Sequence, residues 1–442
     1  MKRWLIENAI LITMDPQRPV VNGWMAVEGT AIAAIGDGAA PEEEKRTAEE
    51  TIDGRGHLFM PGLINTHGHA AMTLLRGLAD DLNLQDWLQN HMWPMEAKFT
   101  GDDVYWGTSL AAAEMILSGT TTFVDMYDHM DRVAEVVRDS GLRASLTRGV
   151  IGLCPPDVQQ AKLDNAVGFA KDWHGEADGR IQVMMSPHAP YTCPPDYIEK
   201  IVAAAHELGL PLHTHMSETE AEVEQNVRDY GVRPVEHLDR LGLFSRPALV
   251  AHAVHLTDEE IALLANRNVA VSHNPVSNLK LASGVARVPE LLRAGVTVSL
   301  GTDGAASNNN LDLFEEIRMA ALLHKGVSKL PTVVPAAEAL RLGTSYGAKA
   351  IGLEGVTGML KPGLKADFIA VSIEKAHFVP ATDYVSHLVY AASGADVAHM
   401  WVDGRQLMRN RELLTLDVDH VGDGPMFEIR REAQRCFERL RA

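Results

Sequence analysis

The pattern of apolar and polar positions changes twice along the chain. Residues 1–59 carry short apolar runs broken by turns: Ile10–Ile12, Trp24–Val27, a turn at Glu28-Gly29, then Ile32–Ile35. This spacing predicts a hairpin-like series of strands, too few to bury a core alone. From residue 60 the runs become continuous and β-like: Leu63–His67, Thr121–Met126, Leu142–Thr147, Ile181–Ser186, Leu212–Met216, Ala248–Ala253, Val269–His273 and Val296–Thr302. Amphipathic stretches lie between them, among them Asp103–Ser118, Pro195–Leu208 and Glu218–Tyr230, and several close at a glycine. Eight buried runs with crossover helices predict an α/β chain folded as a (β/α)8 TIM-like barrel. An open doubly wound sheet would carry a glycine-rich phosphate loop after its first strand; here that place holds His67-Gly68-His69.

Past residue 355 strands return, at Asp367–Val371 and Ala398–Val402. They are expected to join the N-terminal strands in a small β-sandwich domain built from both chain ends. The expected organisation is 1–59 and 356–420 for the two parts of that domain, 60–355 for the barrel and 421–442 for a charged C-terminal helix. That helix is read as a packing element or an oligomer contact, and a homo-oligomer is expected.

Composition excludes some function classes. The net charge of -19, with 40 Lys and Arg against 59 Asp and Glu, is that of an acidic surface. Phosphate-backbone binding needs a basic patch, and no basic run is present, so nucleic acid is not expected as a partner. Three cysteines, far apart and odd in number, make no disulfide framework and fit a reducing cytoplasm. The absence of C-x-x-C removes the zinc signature of cytidine-type deaminases. The N-terminal stretch lacks the long apolar core of a signal peptide or a membrane span.

Barrel chemistry sits at the C-terminal ends of the strands. Five of the eight expected ends carry histidine: His67 and His69, His188, His213 and His215, His252 and His255, and His273. A sixth carries Asp303. Residues i and i+2 of a strand face one side, so His67 and His69 are placed to share a metal. His67, His69, His215 and Asp303 form a donor set suited to zinc, iron or manganese, and such a metal activates water. Asp303 is also expected to take the water's proton. Glu218, three residues past His215 and read as the start of the next helix, is the expected general acid and base. His252 is expected to hydrogen-bond the attacking water or the developing alkoxide. His213 is read as structural, and His206, His237, His324 and His387 as ordinary helix histidines.

These stretches resemble the amidohydrolase superfamily, and within it the 5-methylthioadenosine/S-adenosylhomocysteine deaminases. The resemblance is carried by Met60–His69, Ser186–Tyr191, His213–Thr219, Ala251–His255, His273-Asn274-Pro275 and Gly301–Gly304. It implies one zinc ion per subunit on His67, His69, His215 and Asp303. It implies substrate contacts at Glu96, Arg148, His188, Glu218 and Asp303, with Glu96 on the ribose hydroxyls and Arg148 on the carboxylate of a homocysteine tail. Binuclear relatives carry a bridging lysine at the end of strand four; Met184–His188 has none. The implied reaction is hydrolytic deamination of a small-molecule nucleoside. Guanine deamination and triazine hydrolysis use a similar metal site, and a non-catalytic barrel is the reading from a different class.

Overall fold

The computed structural model describes residues 2–416 and 425–442, except for the side chains of 425–427. The expected boundary at 420/421 falls outside the described residues. The N-terminal strands are β1 (Arg3–Ile12), β2 (Val20–Glu28), β3 (Ala31–Asp37), β4 (Glu50–Asp53) and β5 (His57–Pro61). The barrel strands are β6 (Leu63–Asn65), β7 (Thr120–Tyr127), β8 (Arg143–Val150), β9 (Ile181–Pro187), β10 (Leu212–Met216), β11 (Ala248–His252), β12 (Ala270–His273) and β13 (Val298–Leu300). The C-terminal strands are β14 (Phe368–Ser372), β15 (Val397–Val402), β16 (Arg405–Arg409) and β17 (Glu412–Leu413).

All eight barrel strands are parallel and pair in chain order from β6 to β13. Helices cover their outer face, so β10, β11, β12 and β13 are buried at every position. This is why these runs read as continuous rather than alternating. The seam between the last and first strands is bridged by Thr66 N–H to Leu300 O at 2.9 Å and Asp303 N–H to His67 O at 3.0 Å. The helix Gly101–Ser118 shows how local chemistry sets an element. Thr100 and Asp103 form a reciprocal capping box at its start, and Gly119 ends it at φ 94°, a left-handed turn that favours glycine.

The two chain ends build one sheet in the order β17-β16-β15-β14-β5-β1-β2-β3, with β4 added beside β1. In a flat sheet β1 and β15 would stand about 14 Å apart, three strand spacings. Yet Trp4 on β1 stacks on Trp401 of β15 with ring centroids 5.9 Å apart. The sheet therefore closes over itself, with Trp4, Phe59, Phe368 and Trp401 inside, as the sandwich reading expects. Arg143 of β8 ties this domain to the barrel. It is buried and forms ion pairs with Asp367 at 2.9 Å and Asp403 at 2.8 Å. The C-terminal helix Pro425–Arg441 lies against Gly101–Ser118, where Ala433, Cys436 and Leu440 pack with Leu74 and Arg439 pairs with Asp103. No helix among the described residues is long and apolar enough to cross a membrane.

Candidate active site

The C-terminal mouth of the barrel opens into a cavity of about 520 Å³. Eight of the nine expected site residues line it: His69, Glu96, Arg148, His188, His215, Glu218, His252 and Asp303. His67 lies just beneath, fully buried. Gly301 makes room for it, since a Cβ there would sit 2.9 Å from the Cβ of His67 and 2.5 Å from Asn274 Oδ1.

Hydrogen bonds fix the tautomer of each inner histidine. His69 Nδ1–H donates to Met126 O at 2.7 Å, and His215 Nδ1–H donates to His188 O at 2.7 Å. His213 Nδ1–H donates to Leu249 O at 2.8 Å, so its Nε2 is left to accept from His67 Nδ1–H at 3.0 Å. Burial pushes His213 down to about 4, which keeps it the neutral acceptor this chain of bonds needs. The three Nε2 lone pairs of His67, His69 and His215 are thereby turned to one point. His67 Nε2 has no hydrogen-bond partner among the described residues.

Asp303 completes the point. Its Oδ2 accepts from Ser277 Oγ at 2.6 Å and Ser307 Oγ at 2.8 Å. Its Oδ1 faces His67 Nε2 at 3.4 Å and His69 Nε2 at 3.2 Å, and His69 and His215 Nε2 stand 3.3 Å apart. A tetrahedral site with bonds of about 2.0–2.1 Å has edges of about 3.3–3.4 Å. The donor set thus fits a zinc-type cation in chemistry and in spacing. His67, His69 and Asp303 form one grouping able to hold a metal, and His67, His215 and His252 form another. Burial opposes a charge on His69, but the Asp303 carboxylate prevails and raises it to about 9. A proton and a cation therefore compete for its Nε2. Burial holds His67 and His215 well below the ordinary histidine range, and the two histidine contacts hold Asp303 low against its own burial.

Glu218 departs from its expected setting. The helix begins at Glu220 with Thr219 as its N-cap, so Glu218 stands in the turn before it. Glu222 accepts the Ser217 and Glu218 N–H groups at 2.8 and 2.7 Å and holds that turn. The Glu218 carboxylate is buried and lies 3.6 Å from His252 Nε2. Burial raises it to about 7, with Asp303 and Glu222 adding to the shift and His252 opposing it. His252 sits at φ 74°, a left-handed conformation that is costly for a non-glycine residue. Its Nδ1–H donates to Asn278 Oδ1 at 2.8 Å, which turns Nε2 toward Glu218.

The outer part of the cavity is polar at one end. Glu96 closes the short helix Trp93–Glu96 and accepts from Tyr127 Oη at 2.6 Å. Burial raises its carboxyl, and the tyrosine bond works against that. His188 Nδ1–H donates to Thr192 Oγ1 at 2.9 Å, and burial pushes the ring down to about 3, so it presents a neutral Nε2. Arg148 lies within β8 and bonds Asn165 Oδ1, Gly149 O and the Asp128 carboxylate.

Sequence reasoning did not find Ser277, Ser307, Asn278, Glu222, Tyr127 or Asp128. Tyr127 and Asp128 directly follow an expected strand end, so the strand-end rule that picked the histidines also points to them. The other four carry no such signal.

The amidohydrolase family profile matches residues 58–407. The chain is 49% identical over 439 residues to a 5-methylthioadenosine/S-adenosylhomocysteine deaminase of Dictyoglomus thermophilum, covering 99% of each chain. It is 48% identical over 439 residues to a 5'-deoxyadenosine deaminase of Methanosarcina acetivorans, again 99% of each. A crystal structure of an adenosine deaminase from Xanthomonas campestris with bound zinc superimposes with a TM-score of 0.91 at 36% identity, covering 99% of this chain and 98% of that one. With this profile spanning most of the chain, and with relatives similar from end to end, the protein belongs to the amidohydrolase family.

Proposed function

We propose that the protein is a zinc-dependent aminohydrolase that converts adenosine derivatives to the inosine derivatives and ammonia. The observation that carries the reading is one cavity joining the His67, His69, His215 and Asp303 cluster to Glu96 and Arg148. A nucleoside with a polar 5' tail uses both ends; a bare guanine or a triazine has no use for Glu96 and Arg148 together. The names of the relatives from Dictyoglomus thermophilum and Methanosarcina acetivorans support the same substrate class, and the zinc in the related crystal structure supports the metal.

The metal, held by His67, His69, His215 and Asp303, supplies Lewis acidity that activates water for hydrolysis. Glu218 holds a proton near neutral pH and donates it to the ring nitrogen beside the amino-bearing carbon, which makes that carbon electrophilic. His252, its Nδ1 anchored on Asn278, offers Nε2 to position the water from the other side. Asp303 accepts the water's proton on Oδ1, because Ser277 and Ser307 occupy Oδ2. That proton then reaches the leaving amine, the C–N bond breaks to release ammonia, and the new hydroxyl returns its proton to Glu218 as the carbonyl forms. Glu96 accepts hydrogen bonds from the vicinal ribose hydroxyls, Arg148 pairs with a tail carboxylate, and neutral His188 bonds the nucleoside.

The test is release of ammonia by the purified holoenzyme from methylthioadenosine, adenosylhomocysteine, adenosine, guanine and a triazine, with metal content measured on the same sample. Deamination of adenosine derivatives by protein carrying zinc is expected. Activity confined to guanine or a triazine would overturn the reading.

A further inference from the structure

The outer end of the cavity carries an anion that the reaction does not use. Asp128 Oδ1 is occupied: it accepts from Arg148 Nη2 at 2.9 Å and from the His129 N–H at 2.7 Å. No hydrogen bond to Oδ2 is formed among the described residues, and the side chain is 59% exposed at the cavity mouth. Arg148 and Lys162 line the same cavity, with Lys162 Nζ on Ile151 O at 3.0 Å. Two cations and two carboxylates therefore share this end, Glu96 being half-buried on the Tyr127 hydroxyl and Asp128 exposed.

We infer that Asp128 determines specificity for the 5' tail by accepting the ammonium of an α-amino acid. The inference rests on the proposed deamination of adenosine derivatives and names the tail class that the site selects. An amino acid's carboxylate and ammonium leave the same carbon. Arg148 and Asp128 stand within one hydrogen bond of each other, so one zwitterion spans both. The carboxylate meets the remaining Arg148 donors, and the ammonium meets Asp128 Oδ2. A tail with a carboxylate but no amine pairs with Arg148 and is repelled by Asp128 at the same distance. A neutral methylthio group makes no charged contact with either.

The experiment compares wild-type holoenzyme with Asp128→Asn on adenosylhomocysteine, methylthioadenosine and the deamino analogue of adenosylhomocysteine. The ratio of kcat/KM for adenosylhomocysteine over methylthioadenosine is expected to fall about tenfold, the effect of one partly exposed charge-assisted hydrogen bond. The loss should lie in KM, and the preference for adenosylhomocysteine over its deamino analogue should shrink with it. A fall in that ratio with the preference over the deamino analogue unchanged would show that Asp128 acts only by holding Arg148, an unchanged ratio that it meets no tail charge, and a higher ratio that it merely masks Arg148; each of these overturns the inference. If the wild-type holoenzyme deaminates no adenosine derivative, the parent reading falls and this inference with it.

Discussion

Replacing His213 tests whether the metal site is set by bonds behind it. His213 contacts no cavity space; it accepts from His67 Nδ1 and donates to Leu249 O, both in the buried barrel interior. His213→Leu leaves the His67 Nδ1–H unpaired, while the Leu249 carbonyl keeps its place in the β10–β11 ladder. An orphaned buried polar group costs about 1–3 kcal/mol of stability. The His67 ring also loses the bond that fixes its tautomer and aim. Loss of such a partner behind a ligand lowers metal affinity about 10–100-fold, which is about 1.4–2.7 kcal/mol. His213→Gln carries an oxygen near the position of Nε2 and retains the His67 bond while losing that to Leu249. The expected order of zinc affinity is wild type, then H213Q, then H213L. Titrating metal-free protein with zinc against a chromophoric chelator measures it, and far-UV circular dichroism confirms that each variant is folded. A folded H213L that holds zinc as tightly as wild type would refute the argument that His67 is aimed through His213.

Further consequences concern the proton, the carboxylate clamp and the domain contact. Glu218→Gln should lower kcat by about 10²–10⁴-fold in steady-state assays. Because burial raises Glu218 to about 7 and the protonated form is the donor, activity should decline as pH rises through about 7; a pH–rate profile with no basic limb there would count against this role. The double substitution of Ser277 and Ser307 by Ala frees Asp303 Oδ2 and should weaken zinc retention about 10–100-fold by the same chelator titration. Arg143→Met leaves the buried Asp367 carboxylate between barrel and β-domain without its cation, while Asp403 keeps Lys365. Breaking a buried ion pair costs about 3–5 kcal/mol, which should appear as a lower urea midpoint with the zinc affinity of the folded protein retained.

What the sequence determined by itself was the class of fold and which side chains stand together at the barrel mouth. Both follow from local rules. Continuous apolar runs between amphipathic stretches mean strands buried on both faces, and side chains at strand ends mean a mouth. His67, His69, His215 and Asp303 could therefore be named from where the runs stop. Only the tertiary structure decided what holds them. His213, two residues before His215 on the same strand, reaches His67 across the barrel interior. Ser277 and Ser307 come from two separate short helices, Pro275–Lys280 and Ala305–Asn308, to one oxygen of Asp303, and Asn278 sets the orientation of His252. Arg148 proved to be paired with Asp128, the contact on which the inferred tail specificity rests. Ser307 stands only four positions from Asp303, but the other contacts join separate segments of the barrel, and His67 meets His213 across 146 positions only because the strands curl round a common interior. A one-dimensional pattern records which face a residue takes, and the partner across that face is fixed only when the sheet closes.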